Sequence, residues 1–549
     1  MRPAWSVRLL AAAILLGGLR DPRLAALGEA AVFAALWIER PLFGAAAPWL
    51  PWLAWAAASG ALSLQPLAAL PALARAAAAL GFASLAAAWG AREREEWLKT
   101  TLAVCVILAA AAFWTGVPLG FRATMTGLIP PYYNYSTFVL AAGAAAAVAW
   151  ALHPGAVRPA HRLAALAAAG ASVAAIGFAH SRGAFIALAC AAAAWAARRW
   201  GKAAFAAAAV AAALAGGAIW AGRLPASWRG VAVKNDRQVS EARPAIWRRA
   251  AEIADEHPWL GEGPGSFGVG FRRRPVEARG ARARWGLTTE FAHSEPLQAA
   301  AETGWMGLAL WLLGLTASLR TLWRRTDEEP AREAAAVAAV AMAVQLLIDN
   351  MLQIPGLALL FFSALAVAGE RTPGRRRWPG AAVFAGGLLA ATAWVPRALA
   401  DGNPSRAAAL FPRESDLKED LAYKVMTAGR WAEADAVWAQ AEDLAPFNAI
   451  YPWRRAQIAA LRGRWDEARV HAERALEVEP GFLNVRVLRA EALRRLGRPA
   501  EARAELAAVA DAFASRSSPP GFTYYDSRIW ILDSAEYERV AALLRRPTR

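Results

Sequence analysis

Over its first 397 residues the chain alternates apolar runs with short polar breaks, and few architectures satisfy that pattern. The runs fall at 4–19, 23–38, 44–62, 67–90, 100–117, 135–152, 162–178, 183–197, 203–222, 296–319, 333–349, 356–370 and 379–396. A segment that crosses lipid must pair its own backbone N–H and C=O groups, which restricts it to helices or a closed barrel. The run lengths are those of helices, so the pattern predicts about 13 spans in an all-α, polytopic domain over 1–397. Composition agrees: the 549 residues are 57% hydrophobic and only 19% charged. That balance is too apolar for a soluble protein of this size. The first run has the length of a signal peptide, but no clear cleavage site follows it.

The formal net charge is +17. Nucleic acid would account for such an excess, but the sequence holds no basic recognition helix or binding motif, so no nucleic-acid partner is expected. Membrane loops account for it better. One alternating set carries Arg92, Arg94 and Lys99; Arg158 and Arg162; Arg198, Arg199 and Lys202; Arg320, Arg324 and Arg325; and Arg371, Arg375, Arg376 and Arg377. By the positive-inside rule these loops are cytoplasmic, as is the N-terminus. The long loop at 223–295 and everything after about residue 397 then lie on the outer face. Several of the 26 tryptophans, among them Trp37, Trp89, Trp97, Trp150, Trp200, Trp220, Trp323 and Trp378, stand near run ends. Interfacial aromatic belts form there. Cys105 and Cys190 sit inside apolar runs, which predicts two buried small side chains rather than a disulfide.

The tail, 398–549, obeys a different period. Pro412, Pro446 and Pro480 recur every 34 residues, as do Gly429, Gly463 and Gly497, and Ala434, Ala468 and Ala502. A 34-residue period with small residues at fixed offsets is the signature of tetratricopeptide repeats. Small residues let paired helices approach, and proline stops the second helix. Three repeats are expected, at about 415–448, 449–482 and 483–516, with 522–545 as a capping helix. Such a stack offers a binding surface for a protein partner rather than chemistry.

Chemistry is expected in the polar interruption at 223–290, which closes on His293. It contains Arg243-Pro-Ala-Ile-Trp247, then His257-Pro-Trp-Leu-Gly-Glu-Gly-Pro-Gly265, and leads into Phe291-Ala-His293-Ser-Glu-Pro-Leu-Gln298 and Glu302-Thr-Gly304. An imidazole at the membrane–water boundary can take a proton from a sugar hydroxyl or hold that hydroxyl by a hydrogen bond. The plain alternative is a helix-start histidine satisfied by solvent. Arg243, with Arg248 on the same predicted helix, presents a planar fork suited to phosphate oxygens. Solvated loop arginines are the alternative there. Arg182, in His180-Ser-Arg-Gly-Ala184, lies between two apolar runs, where an ionisable group marks a functional position unless it snorkels to the headgroups. Asn134, on the same outer face, suits either substrate orientation or a helix cap. The bend at Gly261–Gly265 lacks the strand–helix context of a nucleotide loop. No His, Asp and Glu cluster has metal spacing, so no metal or other cofactor is expected.

In this order these pieces resemble the O-antigen ligase family, which shares its core with O-antigen polymerases and bacterial O-oligosaccharyltransferases. The likeness covers about residues 70–370. It rests on Ser181-Arg182-Gly183, the arginine followed by tryptophan, His257-Pro258 with Gly261-x-Gly-Pro-Gly265, His293 with Leu297-Gln298, and Glu302 with Gly304. Where the family has an asparagine after the loop histidine this chain has Ser294, and the family's Asn-rich upstream segment is reduced to Asn134. The repeats are an addition to the simple ligases.

The resemblance implies inverting, metal-independent glycosyl transfer on the outer face of the bacterial inner membrane. The donor would be a glycan on undecaprenyl diphosphate, and the acceptor lipid A-core. His293 would activate the acceptor hydroxyl, Arg182 and Arg243 would neutralise the diphosphate, and Asn134, Arg248 and Glu302 would bind substrate. A polymerase acting on a second lipid-linked glycan and a transferase acting on Ser or Thr of a protein fit nearly as well. A transporter of lipid-linked glycans would place its polar residues near the bilayer midplane. A membrane-anchored scaffold would need only one helix.

Overall fold

The structure is a computed structural model, and it describes residues 4–19, 21–63, 66–119, 133–155, 158–179, 181–201, 203, 237–274, 289–324, 329–369, 377–393, 395–514 and 542. The expected run 203–222, all but its first residue, and the expected capping helix 522–545, all but residue 542, lie outside these. Among the described residues the regular structure is helical, with one isolated antiparallel bridge between Leu42 and Arg377.

Contacts divide the chain into two compact units. The first is Met1–Asn235, Ala254–Gly265 and Ala292–Trp394; the second is Asp236–Ile253, Ser266–Phe291 and Val395–Arg549. The first unit contains α1 (Ala4–Leu15), α2 (Pro22–Glu39), α3 (Leu50–Leu62), α4 (Pro66–Ala87), α5 (Ala91–Leu119), α6 (Tyr133–Ala151), α7 (Pro159–Phe178) and α8 (Arg182–Trp200). Helices α9 (Arg237–Glu256) and α10 (Phe267–Arg273) follow, and α9 runs from the second unit into the first. The first unit resumes with α11 (Glu295–Arg324), α12 (Pro330–Leu346), α13 (Pro355–Ala368) and α14 (Gly380–Thr392).

Five helices among the described residues are long and apolar enough to cross a membrane: Pro66–Ala87, Ala91–Trp114, Asn134–Ala151, Pro159–Phe178 and Glu295–Leu322. Three shorter apolar helices accompany them, Trp5–Leu15, Pro355–Ala368 and Gly380–Thr392. Every residue of α13 is buried, as expected of a helix that is apolar all round. Alanine-rich α6 and α12 pack against each other, and α12 also packs on α8. Short side chains let these helices approach closely, as membrane interfaces require.

Packing revises several expectations read from single positions. Trp89, Trp97 and Trp150 are buried rather than interfacial. Trp89 and Trp97 donate their indole N–H to Ser6 and Ser363, each at 3.1 Å. A buried indole needs a partner, and these hydroxyls supply it. Arg94 grips both oxygens of Glu329 at 2.8 Å and donates to the Trp89 carbonyl. Cys105 is buried as expected, but Cys190 is exposed, on the outward side of α8.

Helix α11 is broken at Gly304, whose φ of 73° and ψ of 176° belong to a region that is essentially glycine's alone. The break admits the backbone of Pro258 and Trp259. A Cβ on Gly304 would lie 2.4 Å from the Trp259 carbonyl oxygen and 2.5 Å from that of Pro258. On the other side of the contact Gly261, at φ 64°, would place a Cβ 2.3 Å from the Glu302 carbonyl carbon. Gly304→Ala is therefore expected to destabilise the first unit by at least about 2 kcal/mol. A fall in detergent melting temperature checks this, and wild-type melting would refute the account of the break.

The second unit carries α15 (Val395–Gly402) and α16 (Pro404–Leu410), then three antiparallel helix pairs. These are α17 (Ser415–Thr427) with α18 (Trp431–Leu444), α19 (Ile450–Leu461) with α20 (Trp465–Val478), and α21 (Leu483–Arg495) with α22 (Pro499–Ala514). Gly429, Gly463 and Gly497 hold φ of 74°, 72° and 74° at the three intra-pair turns. Ala434, Ala468, Ala456 and Ala475 are buried where the helices meet. Glu442, only 3% exposed, accepts from Arg455 and Arg474 and so ties the first pair to the second.

Burial, and secondarily the nearby Arg455 charge, pushes the imidazole of His471 below its ordinary pKa. Its folded-state pKa is thus lower than in the unfolded chain, so the stability it contributes is present above the unfolded value, about 6.5, and is lost as pH falls. The repeats are expected to melt at a lower temperature below about pH 6.5, with His471→Gln flattening the dependence. Parallel melting curves at several pH values on the two proteins check this.

Candidate functional site

The polar loop returns to the first unit at Ala292, and there the backbone turns sharply. His293 adopts φ 52°, a left-handed conformation uncommon outside glycine, though histidine is among the residues that tolerate it best. The turn starts α11 directly behind His293 and directs its imidazole inward, where it is 5% exposed. Three hydrogen bonds hold the turn. Ala292 N–H donates to Gln298 Oε1 at 2.7 Å, Ser294 N–H to Asn350 Oδ1 at 3.1 Å, and Leu352 N–H to Glu295 Oε1 at 2.7 Å.

The imidazole Nδ1 lies 3.2 Å from Asp349 Oδ1. The same oxygen accepts from Asn350 N–H at 3.0 Å, and Asp349 Oδ2 accepts a short hydrogen bond from Asn134 Nδ2. Ser181 Oγ donates to Asn134 Oδ1 at 3.3 Å, and Thr137 Oγ1 donates to Ser181 Oγ at 3.1 Å. The chain Thr137–Ser181–Asn134–Asp349–His293 is buried throughout. A carboxylate facing Nδ1 favours the tautomer with its proton on that nitrogen, which leaves the Nε2 lone pair to accept another. Asn350 Nδ2 is buried beside this pair with no hydrogen-bond partner among the described residues. A buried amide donor left unmet in this way costs free energy unless a ligand or water fills the place.

Four of the six candidate residues fall in the first unit. His293 and Asn134 converge on Asp349. Arg182 is the first residue of α8, exposed, and follows Ser181, which binds Asn134. Glu302 is buried, and its Oε1 accepts from Gln298 Nε2 at 2.6 Å. Arg243 and Arg248 lie on the part of α9 that belongs to the second unit, Arg243 partly buried and Arg248 exposed. That helix buries Ile246, Ala250, Ile253 and Ala254 along one stripe. Sequence reading missed Asp349 and Asn350, because they end an apolar run and stand 56 residues from their partners. An Asp-Asn pair at the end of an apolar run is the signal that marks them.

One face of α11 also lines a cleft walled by α3, α4 and the 352–353 turn. Arg75, on α4, donates to Gln353 Oε1 at 2.6 Å inside it. The carboxylates of Glu29, Glu302 and Glu295 are in electrostatic range of that guanidinium. Among the described residues no group of three His, Cys, Asp or Glu side chains is placed to hold a metal ion.

The helices define a polytopic, membrane-type all-α protein with an appended solenoid. Residues 164–312, just over a quarter of the chain, match the family model described as O-antigen ligase, and 459–518 match a tetratricopeptide-repeat model. Both parts of the resemblance read from the sequence are thereby matched, and the first supports a membrane glycosyltransferase of the O-antigen ligase or polymerase type. No curated protein matches the chain. Among solved structures, the Yersinia enterocolitica type III secretion translocator chaperone SycD is 19% identical, with a TM-score of 0.20, over 25% of this chain and 94% of its own. A structure titled MamA MSR-1 C2 is also 19% identical, with a TM-score of 0.20, over 24% of this chain and 76% of its own.

Proposed function

We propose that the chain transfers a glycan from undecaprenyl diphosphate to an acceptor hydroxyl at the periplasmic face of a bacterial inner membrane, with lipid A-core as acceptor. The observation that carries this reading is the buried His293–Asp349 pair on a chain whose 164–312 segment matches the O-antigen ligase family. His293 Nε2 takes the acceptor proton while Asp349 holds the ring and stabilises the imidazolium. The acceptor oxygen then attacks the anomeric carbon from the face opposite the diphosphate. The bond to the phosphate oxygen breaks with inversion, and undecaprenyl diphosphate leaves with the bonding pair. Arg182 and Arg243 neutralise that developing charge without a metal ion. Asn350 Nδ2, with Asn134, Arg248 and Glu302, orients the sugars. The tetratricopeptide repeats recruit a protein partner, and this favours one second reading, in which the acceptor is a protein hydroxyl.

Glycan profiling of a deletion strain tests the proposal. Loss of long glycan from lipid A-core, with undecaprenyl-linked polymer accumulating, is the expected result. Accumulation of single repeat units would replace it with a polymerase, and loss from protein alone with an oligosaccharyltransferase. Unchanged glycan pools in the absence of a paralogue would sink all three.

A further inference from the structure

The cleft beside the His293 turn has a composition of its own. Trp52 and Trp311 contribute aromatic walls, and α11 contributes Glu295, Gln298 and Glu302, three and four residues apart on one face. Arg75 and Gln353 close the ring of polar groups, hydrogen-bonded to each other. Trp52 Nε1 is buried with no hydrogen-bond partner among the described residues. A buried indole N–H ordinarily finds one, so this donor waits for an oxygen. The lining offers two carboxylates against one guanidinium, which disfavours a phosphate or diphosphate as occupant. Aromatic walls with carboxylate and amide acceptors instead suit a sugar ring, whose C–H faces are apolar and whose hydroxyls both donate and accept.

We propose that this cleft is a saccharide subsite that seats an uncharged or amino-bearing sugar ring of a transferase substrate. The inference rests on the transferase reading above and deepens it. The two segments that form the histidine–aspartate pair, 292–298 and 349–353, also line the cleft. A ring held by Glu295, Gln298 and Glu302 is therefore positioned by the same helix start that positions His293. Trp52 donates to a ring hydroxyl, and the carboxylates accept from its neighbours.

The test uses the full chain in lipid nanodiscs and saturation-transfer NMR with a panel of methyl glycosides, including glucose, galactose and N-acetylglucosamine forms, and inorganic pyrophosphate as the anionic competitor. At least one glycoside is expected to bind wild type and the His293→Asn variant alike, because binding does not need the base. Trp52→Phe keeps the ring and removes the donor; it should weaken binding about three- to tenfold. Pyrophosphate should not displace the sugar. Binding of no glycoside, binding indifferent to Trp52→Phe, or displacement by pyrophosphate would each overturn the subsite. Glycoside binding by a chain without transfer activity would retire the transferase reading and leave the cleft's ligand standing. With active protein, a KM raised about three- to tenfold for acceptor alone, or for donor alone, tells which substrate supplies the ring, kcat staying within about twofold.

Discussion

Asp349→Asn is expected to cut glycan transfer by about 10²- to 10⁴-fold with the amount of chain in the membrane unchanged. The substitution keeps shape and volume but removes one of the two acceptor oxygens. Asp349 Oδ1 faces His293 Nδ1 and Asn350 N–H, and Oδ2 faces the Asn134 amide. If the new amide nitrogen faces His293, it donates to Nδ1 and forces the ring proton onto Nε2, so the base is lost. If it faces Asn134, two amide donors meet and the Asn134–Ser181 link must rearrange. Either outcome damages proton transfer more than folding. Transfer assayed in membranes, with chain quantified by immunoblot, decides it, and activity within about threefold of wild type would remove Asp349 from the mechanism.

The second large effect concerns the histidine itself. His293 sits at φ 52°, where asparagine is tolerated nearly as well and a β-branched residue is strained. His293→Asn is thus expected to fold and melt like wild type yet lose about 10²- to 10⁴-fold in transfer. His293→Val should lose melting temperature as well, by roughly 4 °C or less per kcal/mol of strain. Equal melting of the two variants would refute the strain argument, and transfer by His293→Asn at the wild-type rate would refute the base.

Long-range order in this chain was legible where a period carried it. The 34-residue recurrence of Pro412, Pro446 and Pro480 foretold the helix pairs of the tail, because each repeat makes the same local contacts. His293 stands out in the sequence because it closes the polar interruption. Asp349 does not: a single carboxylate at the end of the 333–349 run reads as a span boundary, and its contact with His293 spans 56 residues of chain. Trp89 and Trp97 misled for a related reason. Position near a run end suits the interface, but whether an indole meets lipid headgroups or a serine on another helix depends on packing that no single run encodes. The break at Gly304 was visible as a glycine in Glu302-Thr-Gly304, but its cause, the Pro258 and Trp259 carbonyls, was not.

The division of the chain bears on how the protein is made. The second unit is assembled from Asp236–Ile253, Ser266–Phe291 and Val395–Arg549, so the chain passes from one unit to the other five times. The helix bearing Arg243 and Arg248 leaves the ribosome well before the repeats with which it forms that unit. At about 5–20 residues per second, roughly 7 to 28 seconds of translation separate Ile253 from Val395. Through that interval its buried stripe of Ile246, Ala250 and Ile253 has no finished unit to join. Within the second unit the Arg273 guanidinium lies 5.5 Å from the centre of the Phe447 ring, a contact between the loop and the first repeat. A stop codon placed before residue 395 to delete the solenoid would therefore also orphan the arginine-bearing segments, and the resulting defect would not report on partner recruitment alone.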